Sequence, residues 1–414
     1  MKAEIKDRVR SYILSKCVNK DSRLIGAEIE NIIHNDNNTR LPVNKGNHFS
    51  AFDLLKCMKE RNLQNGVYSL EPGGQLEWSS PPYADLNELA FALEHHYKLL
   101  DQVTKENGLK IIHYALEPIY HPEKIELIND LKYQLMDKNM EKKGTMGKWM
   151  MRNTASIQVN FDILNPKDVE EMTFIADCLH PVAAYLFANS PFKENTTMNK
   201  KNIRNEIWSR TDNGRCGNLI DHGINQSKGL VNSYVEFVSN VQNIFELDRS
   251  GAITSSKGVI GQRLKSLQDQ NQLFEKDIKA ALHQIFTNVR LKNLVEVRGA
   301  DLTPRGFEMA PIAFWTGLLT VISIRDEVFK TVSKWTEQDR LVFNKSSFLL
   351  EFDQPGPQGK SYGEWISWAS ELALEGLKKR NQREEMFLGS FYDIVINKGP
   401  FAIQAQKNAS KYCT

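Results

Sequence analysis

The sequence predicts an α+β fold whose β-sheet has an acidic inner surface. Three observations predict it. Segments with apolar residues at helical spacing alternate with short strand-like runs along the chain, and no internal repeat is found. Four of the strand-like runs put acidic or amide side chains on one face: Gly26-Ala27-Glu28-Ile29-Glu30, Ser69 to Glu77, Ile157-Gln158-Val159-Asn160-Phe161-Asp162 and Val295-Glu296-Val297-Arg298. The length, 414 residues, suits one large domain with additions, or two domains.

The elements follow in order. Residues 1–22 read as an amphipathic helix and 24–33 as a strand, with a polar loop at Asn35 to Thr39. A helix at 48–62 precedes a hairpin that turns at Pro72-Gly73-Gly74. Asp85 caps a helix to Asn107, with Leu86, Leu89, Ala90 and Leu93 at helical spacing. A strand over 110–117 stops at Pro118, and Gly144 and Gly147 mark a loop before a strand at 156–162. Pro166 opens a helix to Phe187 that Pro181 should break. A polar segment, 193–223, carries Arg204, Arg210 and Arg215; residues 248–272 read as a mobile surface loop. A helix at 274–286, a strand at 292–298, a helix at 308–323 and a mainly helical C-terminal third complete the chain. The division expected is an N-terminal helix (1–23), a main domain (24–390) and a loosely held tail (391–414).

Side chains alternate across a strand with period two. Glu28 and Glu30 therefore share a face, as do Gln158, Asn160 and Asp162, and Glu296 and Arg298; apolar residues take the opposite faces. The Pro-Gly-Gly turn folds Glu71 back towards Glu77. A solvent-facing strand usually mixes in Lys and Thr, whereas these faces carry acids and amides with one arginine. Converging carboxylates repel unless a cation lies between them, and hard divalent cations prefer oxygen ligands. Magnesium with a nucleotide phosphate is the arrangement this suggests.

Other patterns narrow the class. The net charge is 53 minus 51, or +2, which gives no basic surface for nucleic acid. No run reaches the roughly 18–20 apolar residues of a membrane span, and Tyr12-Ile13-Leu14 is too short for a signal-peptide core. Cys17, Cys57, Cys178, Cys216 and Cys413 are scattered and odd in number, which fits a reducing cytoplasm rather than a disulfide framework or zinc site. Gly359-Lys360-Ser361 resembles the end of a phosphate-binding loop, but the required glycine five positions before Gly359 is Gln354. Nucleotide binding must then rest on metals and arginines. His95 and His96 read as surface residues of a helix.

The hairpin Glu71-Pro72-Gly73-Gly74-Gln75-Leu76-Glu77, followed by Ser79, resembles the signature of glutamate–cysteine ligases of the plant and proteobacterial type. The resemblance recurs in order at Ile25 to Glu30, Thr154 to Asp162, Leu186 to Phe192, Arg204, Trp208, Thr211-Asp212, Arg215, Arg290 to Asn293 and Glu296 to Asp301, and extends through Phe314-Trp315 to Leu374–Lys378. It implies a curved, mainly antiparallel β-sheet funnel with outer helices, similar to the catalytic domain of glutamine synthetase. It implies an ATP-dependent carboxylate–amine ligase that phosphorylates the γ-carboxylate of glutamate and lets the amine of cysteine attack the acyl phosphate. Small-molecule substrates, ATP and Mg2+ are the expected partners, with no nucleic acid or membrane, in a cytoplasmic monomer or homodimer. By motif position Glu28, Glu30, Glu71, Glu77, Gln158 and Glu296 look like metal ligands. Arg298 is placed to reach the transferring phosphoryl group, and Arg204, Arg215, Asn160 and Trp208 are candidates for substrate or ATP. The chain departs from the family at Ala27 and Ile29, at Asn153 beside Arg152, and at Leu302-Thr303-Pro304-Arg305. These departures raise the alternative of a ligase for a different amine.

Overall fold

The computed structural model describes residues 3–62 and 66–412; Met1, Lys2 and Cys413 lie outside the described residues. Its centre is a seven-stranded, wholly antiparallel sheet. The strands are β1 (Ile25–Asn35), β2 (Val67–Leu70), β3 (Leu76–Ser79), β4 (Leu109–Ile112), β5 (Ser156–Phe161), β6 (Val289–Leu291) and β7 (Val295–Asp301). Their spatial order is β6-β7-β5-β1-β3-β2, with β4 paired to the far end of β1. The fold is α+β, as the sequence predicts.

Register decides what meets on the polar face. Glu28 lies opposite Gln158 and Ser79, Glu30 opposite Glu77, and Asn160 opposite Glu296. A shift in pairing between Val297 and Ala300 sets Asp301 opposite Ser156. Asp301 thus returns to the polar face although it lies five positions, an odd number, after Glu296. On the reverse face Ala27, Ile29, Ile157, Val159, Val295 and Val297 are all buried. Two helices cover that face, α6 (Pro166–Leu186) and the fully buried α11 (Met309–Leu319). Truncating one of these strand residues, such as Ile157→Ala, should cost about 2–5 kcal/mol.

The remaining helices frame this core. α1 (Ala3–Ile13) packs Ile5, Val9 and Ile13 against α8 (Leu230–Asn240), α9 (Ile260–Asp269) and α10 (Glu275–Leu282). α2 (Ala51–Arg61) starts with a capping box between Ser50 and Asp53, and the Asp85 carboxylate caps α3 (Leu86–Glu106). α4 (Leu131–Lys143), α5 (Gly147–Asn153) and α7 (Ile203–Ser209) lie across the polar face of the sheet. Met136, Met140, Met150, Met151, Ile203 and Ile207 there belong to a second apolar cluster. α12 (Ile322–Val332), α13 (Glu337–Ser346), α14 (Tyr362–Arg380), α15 (Met386–Lys398) and α16 (Phe401–Tyr412) complete the outer layer.

Several expectations change. α6 runs through Pro181 without a break. It is buried along almost its whole length, and that packing offsets the lost backbone hydrogen bond. Residues 248–272 are not a loop: a short antiparallel ribbon (Phe245–Leu247 with Ile253–Ser255) leads into α9. The tail is not loose, because Ala402 and Ile403 of α16 enter the core and Ala402 donates its N–H to Ala188 O at 3.0 Å. α1 belongs to the same core rather than standing apart. His96 is buried, stacked on Trp78 at 5.0 Å and hydrogen-bonded to Tyr68.

Candidate active site

A cavity of about 270 Å³ lies between the polar face of the sheet and the covering helices. Its acidic side comes from β1 and the β2–β3 hairpin. The hairpin turn is held by Glu71 N–H to Gln75 O at 2.9 Å and Gly74 N–H to Glu71 O at 2.8 Å. Gly74 has φ +78°, a conformation in which L side chains are strained. Gly73 rests against α5 so closely that a Cβ would sit 2.5 Å from Arg152 Cα. Arg40 donates to Gly73 O at 2.9 Å from the other side. The turn is therefore clamped, and with it Glu71.

Glu30, Glu71 and Glu77 each offer a carboxylate oxygen, all within 4.8 Å of one another. Burial, then Glu77, pushes Glu30 up to about 7. Burial, then Glu30, pushes Glu71 up to about 7; burial, then Glu71 and Glu28, pushes Glu77 up to about 8. Three carboxyls that resist ionisation together are the donor set a hard divalent cation satisfies. Glu28 lines the same cavity, half-buried, and accepts a hydrogen bond from Asn160 Nδ2 at 3.0 Å.

The opposite side is cationic. Arg290, Lys292 and Arg298 line it, and Lys132 stands on α4 beside the acids. The three residues on β6, β7 and the turn between them converge on Glu296. Arg290 bonds both its oxygens, Lys292 reaches one at 2.6 Å and Arg298 the other at 3.1 Å. Burial would raise the Glu296 carboxyl, but Arg290, then Lys292 and Arg298, hold it well below the usual carboxylate range. Gln158 joins the two sides: its Oε1 accepts from Arg298, and its Nε2 donates to Glu30 at 3.0 Å. Ser156 also donates to Glu30, at 2.9 Å.

Of the residues expected from sequence, Glu28, Glu30, Glu71, Glu77, Gln158, Trp208 and Arg298 line this one cavity. Others do not. Glu296 is fully buried and both its oxygens are taken by cations, so a role as metal ligand does not fit its position. Arg215 is 1% exposed and turned away: it bonds Asp212 at 2.8 Å, Gln284 O at 3.0 Å and Gln242 O. It braces the segment after α7 rather than meeting a substrate. Arg204 lies beneath the cavity, paired with Asp301 at 3.5 Å and close enough to Glu30 to act on its charge. Asn160 orients Glu28.

Sequence reasoning passed over Gln75, Lys132, Tyr133, Arg290 and Lys292 as site residues, all of which line the cavity. Arg290 and Lys292 sit in a matched motif, and their spacing from Glu296 was the available signal. The positions that depart from the family do not line it. Asn153 is buried and donates to Tyr120 O; Arg152 is tied to Asp137 at 2.8 Å; Thr303 is 1% exposed; Arg305 stacks on Tyr97.

The profile of glutamate-cysteine ligase family 2 matches residues 24–346. The chloroplastic glutamate–cysteine ligase of Brassica juncea is 28% identical over 407 residues, covering 93% of this chain and 77% of the relative. Chloroplastic glutamate–cysteine ligase A of Oryza sativa subsp. indica is 29% identical over 416 residues, covering 95% and 82%. Among solved structures, a Francisella tularensis glutamate–cysteine ligase in complex with AMP superposes with a TM-score of 0.57 at 14% identity, over 92% of this chain and 83% of that one. A bifunctional glutathione synthetase from Pasteurella multocida gives 0.50 at 11% identity, over 99% and 51%.

Proposed function

Because the chain belongs to glutamate-cysteine ligase family 2, we propose that it joins the γ-carboxylate of L-glutamate to the amine of L-cysteine using ATP. The products are γ-glutamylcysteine, ADP and phosphate, the first condensation towards glutathione. The observation that carries this reading is the single cavity in which Glu30, Glu71 and Glu77 face Arg298, Arg290 and Lys292 across Gln158. Phosphoryl transfer depends on positioning and charge neutralisation more than on covalent help from the protein. The cationic side would hold phosphate oxygens. Arg298, partly exposed and shared between Glu296 and the neutral Gln158, is the residue we place against the charge that develops on the transferring group.

Glu30, Glu71 and Glu77, with Glu28 beside them, fit Mg2+ by number and type of donor. Bound there, Mg2+ would supply the positive charge that lets ATP phosphates approach three carboxylates. Arg204 stays beneath this layer as a fixed charge that favours the ionised form of Glu30. The covering helices give the cavity an apolar wall of Met136, Met150, Met151 and Tyr133 beside the acids. That would protect an acyl phosphate from hydrolysis.

No helix among the described residues is long and apolar enough to cross a membrane. Cys17, Cys57, Cys178 and Cys216 are free thiols, which supports a reducing compartment. We assign the cytoplasm on that basis, and a monomer or homodimer as its state. Purified protein with glutamate, cysteine, ATP and magnesium should release phosphate only when both amino acids are present. Phosphate release indifferent to cysteine would sink the reading.

A further inference from the structure

His180 stands on α6, one residue before Pro181, and is buried. The chemistry described above makes no use of it. It touches an irregular place in the central sheet. Between Val297 and Ala300 two residues of β7, Arg298 and Gly299, stand against one residue of β5, Gln158. A bulge of this kind re-aims the side chains it carries, and Arg298 is one of them.

Gly299 makes room for the imidazole. A Cβ there would sit 2.2 Å from His180 Cδ2 and 2.5 Å from its Nε2. The ring therefore fills the space that a side chain at 299 would take, next in sequence to Arg298. On its other edge, Nδ1 accepts from Asn288 Nδ2 at 3.3 Å, while the same amide nitrogen donates to Asn218 Oδ1 at 3.0 Å. Asn288 in turn holds the bulge, because its backbone O accepts from Arg298 N–H at 2.8 Å. One side chain thus reaches the backbone of Arg298 and Gly299 by two routes. Burial, then Arg204, keeps the imidazole down at about 3, so it stands beside these arginines without a charge of its own.

We infer that His180 is a positioning residue for phosphoryl transfer: by filling the side-chain space of Gly299 and anchoring Asn288, it fixes the bulge from which Arg298 reaches into the cavity. This rests on the function proposed above, in which Arg298 meets the transferring group. Gln158 and Glu296 hold the guanidinium end of Arg298, and His180 holds the backbone end. Both ends must be set, because a misplacement of about 1 Å at a reacting centre can cost about 100-fold in rate.

The test measures kcat and KM of the full chain by coupled ADP release with glutamate, cysteine, ATP and magnesium. His180→Ala should lower kcat about 10-fold or more, with KM for glutamate and for ATP little changed. His180→Asn keeps an oxygen near the place of Nδ1 and should recover most of that loss. The deciding comparison repeats His180→Ala in an Arg298→Gln background. There it should cost little more, because the group it positions is already gone. An undiminished loss of kcat in that background overturns the inference, since His180 would then act by another route. A wild-type kcat in His180→Ala overturns it too, as does a rise in KM at unchanged kcat. If His180→Ala does not fold, Gly299→Ala decides, because its methyl displaces the ring from the bulge. It should lower kcat about 10-fold or more with Arg298 present and little with Arg298→Gln; an equal loss in both backgrounds, or none, overturns the inference. A wild-type chain that releases no phosphate with both amino acids overturns the ligase reading itself, and this inference with it.

Discussion

Glu77→Gln should make the metal-free protein more stable at alkaline pH and less able to be stabilised by metal. In the folded chain Glu77 is pushed from its ordinary 4.5 up to about 8 by burial and by Glu71 and Glu28. A carboxyl whose folded pKa lies above its unfolded value binds its proton more tightly when folded. Its contribution is fully present below about pH 4.5 and is lost as pH rises through about 8. At about 1.4 kcal/mol per pH unit, the interval from 4.5 to about 8 sets a ceiling of about 5 kcal/mol. Glu30 and Glu71 share the same repulsion, so their protons rearrange when one charge is removed. A gain of about 2 kcal/mol is the realistic expectation. Glutamine keeps the acceptor that Ser69 uses at 2.7 Å, so no other bond is lost. Thermal melts in EDTA at pH 5 and pH 8.5 provide the assay. The variant should match wild type at pH 5 and melt a few degrees higher at pH 8.5. With excess Mg2+ the order should reverse, because wild type alone retains the full donor set. A variant less stable than wild type in EDTA at pH 8.5 would refute the account of the cluster as a repulsive, cation-seeking site.

Three further outcomes follow from the same geometry. Glu296→Gln leaves the buried Arg290 and the partly buried Lys292 and Arg298 around a neutral group; a loss of about 3–5 kcal/mol in denaturant unfolding is expected. Arg298→Gln should lower kcat by about 10²–10³-fold with little change in the KM for glutamate, measured by coupled ADP release. Gly73→Ala sets a methyl 2.5 Å from Arg152 Cα, so it should displace the turn and raise the Mg2+ concentration for half-maximal activity; an unchanged Mg2+ requirement would show that the turn does not position Glu71.

Much of the acidic layer was legible because strand periodicity is local. Glu28 with Glu30, and Gln158 with Asn160, share a face by counting alone, and the observed register places Glu28 opposite Gln158. What covers the layer was not legible. Residues 131–153 carry lysines, asparagines and methionines without a clear apolar stripe, so α4 and α5 were hidden, along with the wall they form. Pro181 misled because a proline's local cost is outweighed where α6 is buried all round. The shift after Val297 could not be counted, since a single extra residue reverses every later side chain. Asp301 was left off the acidic face for that reason. Arg215 matched a motif, yet a motif does not say whether an arginine meets a ligand or three neighbouring acceptors.

Glu30 and Glu296 show why such a face is read by pairing rather than by composition. Both are buried glutamates on the same side of one sheet, with two strand positions or fewer between their neighbours. Burial alone would raise both. Glu30 meets Glu77 across the ladder and rises; Glu296 meets Arg290 across its ladder and falls. Between them stands Gln158, which can accept from Arg298 and donate to Glu30 at once because an amide carries both kinds of atom. A carboxylate at 158 would accept from Arg298 but would add a charge beside Glu28 and Glu30. An apolar residue would leave Arg298 without its second acceptor. The neutral amide on β5 lets an acidic cluster on one side and a cationic one on the other coexist without collapsing into ion pairs with each other. In the function proposed above, it would thereby keep the cluster of Glu30, Glu71 and Glu77 for a cation.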